Sequence, residues 1–344
     1  MDKQQKRRAF LKTLTWGGLG AAAPIQIVKA ERSLPAAEKM NPPGGETAVQ
    51  RKYNGLYTGD HLNRIAFPIG GLGAGMFCLE GTGAISHVSV RNKPDVFNEP
   101  AMFAAICIKG LKNCAKVLEG QVPEWKYFGR RGSGNGLAGS TLGLPRFKTA
   151  DCLTRFPYST INLRDKELPL QVRITGWSPF IPTDEDNSGL PAGALEYRFV
   201  NTGTKKLEAV FSYNSKNFLA GDEQSGNGIE KIPNGFVLTQ QGTKDNPSLQ
   251  SSFAIFSNEE HTVVDHCWFR GGWWDPLTMA WNNIRDARVQ AVDPVEKNAA
   301  GASLFIPFSL APGSSRTIRV MMAWYVPETN LHSGTVMTEE KKNC

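Results

Sequence analysis

The sequence predicts an all-β protein: a large antiparallel β-sandwich with long loops and few short helices. Three observations predict it. From about residue 53 onward, short runs with period-two alternation recur, separated by turns rich in Gly and Pro. Only short helical pieces fit the pattern, such as PLTMAWNNIRDAR (276–288), and neither heptads nor a repeat of fixed period occurs. A single sheet of this length would leave one apolar face in water, so two sheets must close on each other.

Taken in order, the chain opens on KRRAFLK (6–12), with Arg7 and Arg8 adjacent and Phe and Leu following. TLTWGGLGAAAPIQIV comes next, mildly apolar and rich in Gly and Ala, and Lys29 stands near its end. Residues 1–30 therefore read as a twin-arginine signal, with Ala30 a candidate cleavage position and Lys6 where Ser or Thr is usual. The stretch is too short and too weakly apolar for a good membrane span. Twin-arginine export carries folded cargo. The expected location is periplasmic or extracellular, and the export machinery is an expected partner. Residues 31–52 are polar with Pro and Gly and read as a linker.

RIAFPIGGLGAGMFCLEGTG (64–83) raises the question of a phosphate loop. Gly71 and Gly73 supply two glycines of a dinucleotide fingerprint, but Met76 stands where the third belongs, and no helical stripe follows. The stretch reads instead as paired strands whose glycines mark bulges, tight turns or close backbone approach. AMFAAICIKG (101–110) is a compact apolar strand, and GSGNGLAGSTLGLP (132–145) a long Gly-rich loop. RFPYSTINLRD and LPLQVRITGWSPF flank a turn at Lys166-Glu167. ALEYRFVNTGTKKLEAVFSYN reads as a hairpin turning at Asn201–Thr204, and ASLFIPFSLAPGSSRTIRVMMAWYVP repeats that logic at Ala311-Pro312-Gly313.

The net charge of +7 is concentrated at the start. Six of the 39 basic and one of the 32 acidic residues lie within the first thirty, so the remainder carries +2. That balance gives no broad electrostatic case for nucleic acid. The six cysteines (Cys78, Cys107, Cys114, Cys152, Cys267 and Cys344) form no C-x-x-C pair, so a zinc framework is unsupported and no cofactor or metal is expected. An exported protein is permitted disulfides, but spacing does not pair them, and buried free thiols are the first expectation for most. His261, His266 and Cys267 are the nearest thing to a metal set, and strand alternation sends the two histidines to opposite faces.

No nucleophile elbow or metalloprotease motif is present. The acidic pairs Asp184/Asp186 and Asp222/Glu223 sit among loop residues, where adjacency does not place two carboxyls across a substrate. The stretch CWFRGGWWDPLTMAW (267–281) concentrates Trp268, Phe269, Trp273, Trp274 and Trp281, flanked by Arg270 and Asp275. The first expectation is that these rings fill the sandwich core or plug a domain interface, since tryptophan is mostly buried. The alternative is stacking on a sugar ring, which would make the chain a free-standing carbohydrate-binding module using residues 268–281.

FPIGGLGAGMFCLEGTGAISHVSVRNKPDVFNEP (67–100), GLPRF (143–147), ITGWSPFIPTDEDNSGLPAGALEYRFVNTG (174–203), HCWFRGGWWDPLTMAW (266–281) and APGSSRTIRVMMAWYVPETN (311–330) resemble the N-terminal domain of glycoside hydrolase family 116. That is the β-glucosidase and non-lysosomal glucosylceramidase group. The resemblance implies a supersandwich-like domain over 53–330, followed in the family by an (α/α)6 barrel. It implies that the Glu nucleophile and Asp acid/base of a retaining reaction lie in the barrel, so no catalytic residue is carried over. Residues 331–344 then read as a cut-short passage to that barrel. The implied partner is the barrel, in cis or separately encoded. The implied substrates of the whole enzyme are β-glucosides or glycolipid glycans, and this chain alone is expected to be inactive.

Overall fold

Alternation in the sequence becomes alternation of burial: Leu170, Val172 and Ile174 turn inward while Gln171 and Arg173 face water. The computed structural model describes residues 53–96, 98–127, 140–220, 226–273, 275–296 and 298–329. The residues read as an export signal, with Arg7 and Arg8, those read as a linker, Trp274 and residues 331–344 lie outside the described residues.

Among the described residues the chain begins with β1 (Tyr57–Thr58), β2 (Ala66–Ile69), β3 (Met76–Glu80) and β4 (Ile85–Ser89). β5 (Met102–Ile108), β6 (Lys116–Val117) and the one-turn helix α1 (Glu124–Tyr127) follow. Next come β7 (Thr149–Arg155), β8 (Tyr158–Arg164), β9 (Leu170–Trp177), the short α2 (Glu185–Ser188) and β10 (Ala192–Asn201). β11 (Leu207–Lys216), β12 (Asn227–Ile232), β13 (Gly235–Gln240), β14 (Ser251–Ser257) and β15 (Val263–Asp265) precede α3 (Pro276–Arg285). β16 (Gly301–Leu310) and β17 (Ser315–Tyr325) complete the order.

The strands form three sheets: nine strands in the order β1-β7-β8-β9-β10-β17-β14-β13-β12, five in the order β15-β16-β11-β5-β6, and three in the order β2-β3-β4. The described ladders are antiparallel. The nine- and five-stranded sheets face each other. Tyr197 and Phe199 from β10 meet Phe211 of β11 at ring separations of 5.0 and 5.8 Å, and Phe199 meets Phe308 of β16 at 5.1 Å. The three-stranded sheet extends the second layer. Ile69 of β2 seats over Gly176 and Gly193 of the large sheet, where any side chain on either glycine would collide with it. The all-β sandwich is therefore the observed fold.

The two supposed hairpins are different objects. β10 pairs with β9 and β17, whereas β11 pairs with β5 and β16. The turn at 201–204 thus carries the chain across the sandwich from one sheet to the other, and the turn at 311–313 does the same between β16 and β17. The physical reason is the aromatic load. Tyr197, Phe199, Phe211 and Tyr213 bury fully only when the two strands face each other across the core. The crossings lie side by side and are stitched by Asn201. Its Nδ2 donates to the carbonyls of Lys205 (2.8 Å) and Leu310 (3.1 Å), and its Oδ1 accepts from Gly203 N (2.9 Å).

The five-stranded sheet is covered on both faces, which explains why β5 is buried at every position. Its outer face holds a second core. Leu277, Ala280 and Ile284 of α3 share helical spacing and pack with Phe103, Ala105, Val210 and Phe305.

Candidate functional site

Large apolar side chains in loops are the first feature that folding alone does not explain. Leu72 is 60% exposed, Phe156 56%, Ile181 50% and Leu190 48%. Leu72 and Phe156 lie at the Gly70–Gly75 turn between β2 and β3 and, with Met76, Pro94, Ser178 and Thr329, are among the residues lining a groove of about 650 Å³. The Leu190 backbone packs against Gly71, and Ile181 is tied to the same segment through Ser188.

The segments forming this face are held in place. Leu72 N donates to Ser188 O at 2.7 Å, clamping the glycine turn to α2. Asp184 caps α2, accepting from Asn187 N at 3.0 Å. Ser188 Oγ accepts from Ile181 N at 3.0 Å, and Phe156 meets Phe180 edge-on at 4.9 Å. Trp324 Nε1 donates to Ala74 O at 2.6 Å. Gly75 lies at φ +86°, and a Cβ there would sit 2.6 Å from Ser89 O, so glycine is required. Asn92 Nδ2 donates to Glu328 O at 3.4 Å, so the last described residues lie at this same groove.

A second concavity of about 330 Å³ lies at α1. Lys126 Nζ donates to Glu80 Oε1 at 2.7 Å and Glu99 Oε2 at 2.8 Å, and Arg146 Nε donates to Glu119 Oε2 at 2.9 Å. Burial pulls the Lys126 pKa down, but the two carboxylates outweigh it and the ammonium is held above its ordinary value. Glu80 and Glu99 are two carboxylates lining one cavity, the residue type that glycoside chemistry uses. Both are paired to the Lys126 ammonium, which stands between them. Among the described residues no group of three or more His, Cys, Asp or Glu is arranged to hold a metal ion.

The aromatic stretch is divided. Trp268 is buried in the second core and donates Nε1–H to Ser303 Oγ at 2.8 Å. Trp281 is half-buried against the same core. Trp273 is 95% exposed, Phe269 lies at the surface, and Arg270 is exposed. Asp275 caps α3, accepting from Leu277 N at 3.3 Å and Thr278 N at 3.2 Å. Trp268 and Trp273 therefore face different surroundings despite lying five residues apart.

Sequence reasoning missed the Leu72 face. A signal was present: GGLGAG, RFPYS, FIPT and SGLPAG each place a large apolar residue beside Gly or Pro. Such residues sit in loops, where burial is hard to obtain.

The fold and this face define a class: a large antiparallel β-sandwich domain with exposed apolar side chains in its loops. The sequence matches the model described as beta-glucosidase 2, glycosyl-hydrolase family 116 N-term, over residues 66–341, and the chain belongs to this family. No curated protein matches it. Among solved structures it is similar to a putative kojibiose phosphorylase from the human microbiome, at 8% identity and TM-score 0.33, over 78% of this chain and 25% of that one. A polysaccharide lyase matches at 11% identity and TM-score 0.31, over 79% and 33% of the two chains. A TPR-domain containing protein from Parabacteroides distasonis matches at 11% and 0.31, over 78% and 48%. The chain thus spans a quarter to about half of the solved chains it matches.

Proposed function

We propose that this chain is the non-catalytic sandwich domain of an exported, retaining β-glycosidase of the β-glucosidase or glucosylceramidase type. It packs on the (α/α)6 catalytic domain through the face carrying Leu72, Phe156, Ile181 and Leu190. The observation that carries the reading is this exposed apolar face on a hydrogen-bonded scaffold, beside the last described residues Glu328 and Thr329. Exposed patches of this kind mark contact surfaces, and the occupant that family membership favours is the catalytic domain. The bond-breaking carboxyls then reside on that domain, and this chain shapes the rim of its cleft.

The test is a calorimetric titration of the full chain with a family 116 catalytic domain expressed separately. Saturable binding, weakened at least tenfold by Leu72→Asp with an unchanged circular dichroism spectrum, supports the reading. Absence of binding, or binding indifferent to both Leu72→Asp and Phe156→Asp, sinks it.

Trp273 favours a second reading, a carbohydrate-binding module, because a tryptophan 95% exposed offers both ring faces to a sugar. Oligosaccharide binding lost in Trp273→Ala, with the catalytic domain not bound, would select it.

A further inference from the structure

We propose that Cys107 and Cys114 form an intrachain disulfide when the folded protein meets a disulfide oxidant. The two sulfurs lie 3.7 Å apart, both cysteines are buried, and both are free thiols in this structure. The approach is set by the β5–β6 ladder. Ala105 opposes Val117 and Ile106 opposes Lys116, and Cys107 and Cys114 lie just beyond this ladder, on either side of the connecting turn. Closing the bond requires the sulfurs to approach to about 2.05 Å. The other described cysteines have other surroundings: Cys152 Sγ lies 3.8 Å from Ser159 Oγ, and Cys267 Sγ lies 3.5 Å from the Trp268 carbonyl oxygen.

Access comes from position. β6 has two residues and forms the edge of its sheet, and residues 109–113 of the connecting turn are exposed. Short edge elements open locally at low cost. Either sulfur of the pair can donate to the other, and each also donates to a backbone carbonyl, Cys107 to Arg285 O at 3.3 Å and Cys114 to Ile108 O at 2.6 Å. The thiolate formed by either cysteine is the attacking species.

The exchange balances without a metal. The thiolate of one cysteine attacks one sulfur of a low-molecular-weight disulfide such as oxidised glutathione, expelling one thiolate and forming a mixed disulfide. The other cysteine loses its proton and attacks the protein sulfur of that mixed disulfide, expelling the second thiolate. Two thiols of the protein are oxidised by two electrons, and the oxidant is reduced to two thiols. The bond ties down the edge strand immediately before Glu119, the partner of Arg146 in the charged cavity.

Sequence makes the test clean. Trypsin cleaves after Arg91, Lys109 and Lys112 and skips Lys93, which precedes Pro94, so the two cysteines fall on peptides 92–109 and 113–116. The full chain is incubated natively with oxidised glutathione, alkylated and digested. The expected product is the two peptides joined and lighter by two hydrogens, with two of the six cysteines lost to alkylation. Dithiothreitol should lower the thermal midpoint of the oxidised wild type and leave that of Cys107→Ala unmoved. Both peptides recovered alkylated, an unresolved mixed disulfide on either cysteine, or linkage of either cysteine elsewhere overturns the proposal.

Discussion

Asp265 is 7% exposed, and one carboxylate oxygen accepts from Cys267 N at 2.9 Å. Burial pushes its carboxyl up from 3.8 to about 6, against the lowering effect of that amide. The folded state therefore holds this proton more tightly than the unfolded chain does. Its contribution is fully present below the unfolded value of 3.8, falls as pH rises from about 4 through 6, and is lost above. The full swing is about 3 kcal/mol. Asp265→Asn keeps an oxygen for the Cys267 amide and removes the titration. Thermal midpoints across pH 4–7 should show the wild type losing stability relative to this variant as pH rises; parallel curves would contradict the assignment. The effect was not legible in the sequence. HTVVDHCWF shows an acid beside apolar residues, but burial of Asp265 follows from its ladder with Ser303 and its bridge to Val292, both distant in sequence.

At the scale of elements, the crossings between sheets hold the two layers in register. Asn201 is 1% exposed and satisfies three backbone groups at once. Asn201→Ala removes the side-chain donor to the buried Leu310 carbonyl and the part-buried Lys205 carbonyl, and should cost about 1–3 kcal/mol in urea unfolding. A loss below about 1 kcal/mol would mean that the crossings hold without it. Here the limits of sequence reading are plain. The strands on both sides of Asn201 were legible from alternation, and so was the turn. Whether such a turn makes a hairpin or crosses a sandwich depends on where Tyr197, Phe199, Phe211 and Tyr213 find partners, and that is decided by β5, β16 and β17. The helix at 276–285 was legible because its spacing is local, and its cap at Asp275 is local too. Asp275 therefore has a structural task, and Asp275→Ala should destabilise by about 1 kcal/mol.

Buried charge as well as apolar contact holds the described residues together. Lys126 ties α1 to β3 through Glu80, with side chains 7% and 8% exposed. Lys126→Ala strands a buried carboxylate and should cost about 3–5 kcal/mol. Lys126→Met with Glu80→Gln should cost much less than the two single changes added together. The same ion pair bears on function, because it occupies the one cavity described here where two carboxylates converge on a shared group. At this scale the fold class and the family resemblance were legible from residue pattern, while the proposed docking face was not, since exposure of Leu72 and Phe156 emerges only when distant loops meet. The proposed export is a separate whole-molecule property: Arg7→Lys with Arg8→Lys should leave the chain in the cytoplasmic fraction. The central claim, a scaffold without bond-breaking acids of its own, is met most directly by assaying the purified full chain on an aryl β-glucoside. The account predicts no turnover above buffer. Turnover that disappears in Glu80→Gln or Glu99→Gln would contradict it.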